Sequence, residues 1–143
     1  NVLYQKDFVQ WTEEQAQHLQ KQELDAIDWQ NIQEEIAALG RSEKHELENR
    51  LEVLLEHLLK RCYINSTYDN RGWELTIKEQ RKQMRRLLRA SPSLKNYIET
   101  IIQEIWLDAL SDVQDIYPNT NFPENNPFFQ DLETLLTEKF WQS

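Results

Sequence analysis

A chain of 143 residues with a single cysteine can bury a core without metal or disulfide staples, and it offers no internal disulfide. Two glycines, four prolines and 29% charged residues, with abundant Leu, Glu, Gln, Lys and Arg, favour helices over sheets. A formal net charge of -9 disfavours general polyanion binding. No apolar run reaches bilayer length and the first residues carry no signal-peptide pattern, so the expectation is a cytoplasmic protein without membrane contact.

The first helix is expected from about Tyr4 to Lys21, with Tyr4, Phe8, Trp11 and Leu19 on one face. Asp28 can cap a second helix presenting Trp29, Ile32, Ile36 and Leu39, which Gly40 ends or kinks. From about Ser42 a longer helix carries Leu47, Leu51, Leu54, Leu55, Leu58, Leu59 and Cys62, an apolar stripe wide enough for the central element. Residues 65–72 read as a polar loop, after which Trp73, Ile77, Met84, Leu87 and Leu88 restore the helical period. Ser91 and Pro92 suit the start of an apolar helix reaching Ile116, and Asn126-Pro127 suit the cap of a short last helix containing Phe128, Leu132, Leu135 and Leu136. The sum is one all-α domain over residues 1–143, an irregular helical bundle of about five main helices plus a short C-terminal helix.

Glu35, His57, Lys60, Gln80 and Arg81 form a candidate polar cluster: Glu35 lies between the Ile32 and Leu39 directions, Gln80 and Arg81 continue the stripe after Ile77, and His57 and Lys60 share a face with Val53 opposite the leucine stripe, joining the cluster only where that helix is packed on both sides. Buried charge needs a partner, so the set reads either as an ion-pair network fixing helix register or as a pocket for proton transfer and anion binding. No nucleophile, phosphate loop or metal set accompanies it, and the network reading is preferred; catalytic residues stay unassigned. None of His18, His45 and His57 has a glutamate three residues earlier, and one cysteine makes no zinc set, so no metal and no cofactor are expected.

Between residues 78 and 89 six basic side chains face only Glu79. Lys78, Lys82, Arg85 and Arg89 form a candidate anion-binding face, and Trp73 or Tyr68 nearby can stack on a base. The competing reading has this face neutralised by the acidic helix bearing Glu43, Glu46, Glu48, Glu52 and Glu56, within a monomer or across a homodimer. The overall acidity favours neutralisation and disfavours nucleic acid as a partner. Trp141, beside Phe140, either folds back or anchors a partner.

The pattern Tyr4-x-x-Asp7-Phe8-x-x-Trp11, Asp28, Glu34-Glu35-Ile36-x-x-Leu39-Gly40-Arg41-Ser42-Glu43, His57-Leu58-Leu59-Lys60, Trp73, Gln80-Arg81 and Ser91-Pro92-Ser93-Leu94, with Phe122-Pro123 and Pro127 near the end, resembles the bacterial domain-of-unknown-function family 29, frequent in photosynthetic bacteria. The resemblance implies a compact all-helical domain in a bacterial cytoplasm and supplies no activity, ligand or catalytic residue. The functional expectation is therefore a non-enzymatic protein-interaction module whose partner is another protein or a second copy of the chain. The alternatives are an enzyme built on the polar cluster and a nucleic-acid-associated regulator built on the basic stripe.

Overall fold

A computed structural model describes residues 2–142, all of whose regular elements are helical. They are α1 (Val2–Lys6), α2 (Phe8–Gln20), a 3-10 turn (Leu24–Ala26), α3 (Trp29–Tyr63), α4 (Asn70–Ala90), α5 (Leu94–Ile116) and α6 (Leu132–Thr137). The chain divides into two units, one ending at Ser42 and the other beginning at Glu43, so that α3 contributes to both. No helix among the described residues is long and apolar enough to cross a membrane.

In the N-terminal unit the first helix is interrupted. Asp7 leaves helical geometry (φ -149°, ψ 90°) and its carboxylate accepts the Gln10 amide, capping α2 where a single helix was expected. Trp11 is buried, and its indole N–H donates to Asp28 at 3.0 Å. The Gln15 side chain, also buried, accepts the Asp28 backbone N–H at 2.7 Å. Asp28 thus ties the end of the connection to α2 while its backbone carbonyl begins the α3 ladder. Tyr4, Phe8 and Trp11 form an aromatic cluster with centroid separations of 4.7 to 5.8 Å.

Gly40 does not end the second helix: α3 runs through it to Tyr63. A glycine with negative φ costs a helix interior about 1 kcal/mol, which the hydrogen bonds of the flanking turns outweigh. Ser91 also departs from expectation, because its N–H closes α4 on the Leu87 carbonyl and the next helix starts only at Leu94. Asn126 accepts the Phe128 and Phe129 amides in a local turn, so α6 waits for a second cap at Asp131.

The core of the C-terminal unit is built on the expected stretch of α3. Leu47, Leu51, Leu54, Leu55, Leu58 and Leu59 are fully buried against Ile77, Met84, Leu87 and Leu88 of α4, Ile98, Trp106 and Val113 of α5, and Leu135 and Leu136 of α6. Trp106 donates to the Glu124 carbonyl at 3.1 Å, pinning the long α5–α6 connection to the core. Trp141 folds back against the same core with Phe140, and the Arg61 guanidinium lies 5.9 Å from its ring. Cys62 is packed there too; burial pushes its thiol up to about 11, which makes it a small apolar filler rather than a nucleophile.

Candidate functional site

In the N-terminal unit, Glu35 is the half-buried member of the Glu34/Glu35 pair and accepts the Tyr4 hydroxyl hydrogen bond. That bond, with burial and the Glu35 charge adding to it, raises the Tyr4 pKa. Beside it, α2 and the start of α3 leave a shallow groove of about 220 Å³ lined by Trp11, Leu19, Ile32, Ile36 and Leu39. Ile36 and Leu39 are 65% and 69% exposed, Leu19 is 46% exposed, and Val9, one turn before Thr12 on α2, is 64% exposed. Trp29, expected inside, is half exposed and bonds the Leu24 carbonyl. Periodicity located this apolar stripe but could not show that no neighbouring layer covers it.

The other members of the candidate polar cluster, His57, Lys60, Gln80 and Arg81, lie in the C-terminal unit; three of them have hydrogen-bond partners of their own, and half-buried Lys60 acts on Glu56 and His57 through its charge. His57 donates from Nδ1 to the Val53 carbonyl at 2.8 Å; burial, followed by the Lys60 charge, lowers its pKa in spite of that bond. Gln80 accepts from Arg50 at 3.3 Å. Arg81 is buried and donates from Nε to the Leu135 carbonyl at 3.1 Å and from Nη2 to the Glu138 carbonyl at 2.7 Å. Arg85 reaches the Leu136 carbonyl at 2.9 Å. The two guanidiniums thereby satisfy carbonyls at the C-terminal end of α6, where the helix dipole also favours cations. Burial, then the Arg85 charge, lowers the Arg81 pKa.

The basic face of α4 borders two adjoining cavities. The first, about 510 Å³, is lined by Arg71, Lys78, Arg81, Arg85 and Trp141; the second, about 540 Å³, by Arg85, Arg89, Lys95 and Glu133. Arg85, Leu136 and Thr137 border both. Lys82 lines neither and lies near Glu79. The acidic stretch of α3 finds other partners than this face: Glu46 pairs with Arg50 at 3.4 Å, and Glu48 accepts the Tyr97 hydroxyl at 2.6 Å. The ion pair joining α3 to α4 has the reverse polarity, with Arg61 on α3 and Glu74 on α4 at 3.0 Å.

Glu52 and Glu56 meet Asp112 of α5, their carboxylate oxygens within 4.8 Å of one another. Burial, then a hydrogen bond and repulsion from Asp112, pushes Glu56 up to about 7, with Glu52 adding to the rise and Lys60 opposing it. Glu52 is raised by burial and by Asp112 and Asp108. Three such carboxylates can share a proton or hold a hard divalent cation. Sequence reading missed this group. Its signal is a pair of acids four residues apart on each of two helices, which becomes meaningful only once α3 and α5 are known to face each other.

A family model described as Domain of unknown function DUF29 matches residues 3–141. None of the curated proteins and none of the solved structures matches the chain.

Proposed function

We propose that this chain, which belongs to the DUF29 family, a domain of unknown function, is a non-enzymatic protein-interaction module whose N-terminal hairpin receives a basic amphipathic helix of a partner protein. The observation that carries the reading is the exposed apolar groove between α2 and the start of α3. Two helices bury only one side of each apolar stripe, and a third helix would complete the layer by setting its own stripe between Leu19 and Leu39. Up to Ser42 the unit carries Asp7, Glu13, Glu14, Glu23, Asp25, Asp28, Glu34 and Glu35 against Lys6, Lys21 and Arg41. That acidic surround repels a second copy of itself and favours a partner whose helix is flanked by Lys or Arg.

The test uses a synthetic Leu/Lys amphipathic helix, with a Leu/Glu helix of the same apolar pattern as control, titrated against the intact chain. Removing about two-thirds of a side chain's hydrophobic burial at each of Ile36 and Leu39 is worth about 3 kcal/mol together, roughly a hundredfold in affinity. The double substitution Ile36→Ser with Leu39→Ser should therefore abolish micromolar binding of the basic peptide while circular dichroism stays helical. Equal binding of both peptides, or binding untouched by the substitutions, overturns the reading. A dimer that dissociates on the same substitutions would replace the foreign helix by a second copy.

A further inference from the structure

The geometry points to a second binding site, independent of the hairpin: the groove formed by the two adjoining cavities along α4 receives a compact oligophosphate, of the kind carried by a nucleoside di- or triphosphate. Six cationic side chains border the groove: Arg71, Lys78, Arg81, Arg85, Arg89 and Lys95. Two carboxylates border it as well, and one of them, Glu74, is already paired with Arg61, leaving Glu133. Arg81 and Arg85 are neighbouring guanidiniums whose hydrogen bonds go to main-chain carbonyls and not to carboxylates, while the Glu138 charge acts on Arg81 without a direct ion pair. Arg71, Lys78, Arg89 and Lys95 take no hydrogen-bond or ion-pair partner among the described residues. Like charges gathered on a concave wall repel one another, and a multivalent anion seated between them relieves that repulsion.

Size and surroundings narrow the ligand. Each cavity, about 510 and 540 Å³, lies in the range of small-ligand pockets, so the pair accommodates a nucleotide with its phosphates. The chain as a whole is acidic, which repels a long nucleic acid beyond the groove while leaving a short anion within it attracted. Half-buried Trp141 borders the first cavity, where its ring can lie against a base. The two arginines that hold the α6 carbonyls shape the wall, and the four unpaired cations are free to turn toward phosphoryl oxygens.

Calorimetric titration of the intact chain with tripolyphosphate, ATP and a short single-stranded oligonucleotide tests the assignment. Tripolyphosphate and ATP should both bind, and a tighter ATP that loses its advantage on Trp141→Phe would assign base contact to Trp141. Lys78→Ala with Arg89→Ala should weaken both ligands by roughly tenfold per cation removed. Lys82→Ala with Arg86→Ala removes the same charge from outside the groove and should change binding less than about twofold. All four positions are exposed, and a helical spectrum confirms that each variant folds. Absence of binding at millimolar tripolyphosphate, equal losses in the two double variants, or tighter binding of the oligonucleotide than of ATP would each overturn the assignment.

Discussion

Neutralising Glu56 should stabilise the protein in alkaline but not in acidic buffer. Its carboxyl sits between Glu52 and Asp112 and titrates near 7 in the fold against 4.5 in the free side chain. Between those values the folded chain binds a proton that the unfolded chain has released, so stability falls as pH rises. The contribution is fully present below about 4.5 and lost as pH climbs through 7. At 1.36 kcal/mol per pH unit the interval corresponds to about 3 kcal/mol, and solvent screening of a side chain that is only part buried reduces this to about 1–2 kcal/mol. His57 acts in the opposite direction, because its lowered pKa adds stability as pH rises toward its unfolded value of 6.5, above which the gain is complete. The informative quantity is therefore the difference between Glu56→Gln and the parent chain in thermal melts from pH 5 to pH 8. That difference should be near zero at pH 5 and grow to about 3–6 °C in favour of the variant at pH 8. A difference that does not change with pH, or a variant less stable at pH 8, would refute the proposed repulsion.

Two further substitutions probe the frame. Gly40→Ala should raise stability by about 0.5–1 kcal/mol in thermal or urea melts, because Gly40 is helical and a methyl group there meets nothing within 4 Å; destabilisation would show that the glycine serves some other purpose. Arg81→Met should cost about 2–4 kcal/mol, since it strips partners from the Leu135 and Glu138 carbonyls, and Arg81→Lys should recover little of the loss because one ammonium cannot reproduce the guanidinium fork. Limited proteolysis should then cut the 117–131 connection faster than in the parent chain, and unchanged cleavage would mean that the α6 latch is held by apolar packing alone.

What the sequence determined by itself was the helical class, the central leucine stripe and the inward direction of Glu35, since each follows from period and composition along one element. Periodicity also found the apolar stripe of Ile32, Ile36 and Leu39. The errors along single elements were ones of punctuation: Asp7 was strong enough a cap to break a helix, whereas Gly40 was too weak a breaker to stop one. Tertiary structure alone decided which faces meet. It set the acids of α3 against those of α5 instead of the bases of α4, gave Arg81 and Arg85 to the carbonyls of α6, and left Ile36 and Leu39 in solvent. The reason is that a residue's direction on its own helix is a property of the chain's local period, while its partner depends on how separate helices pack, and that is fixed by the summed fit of many side chains.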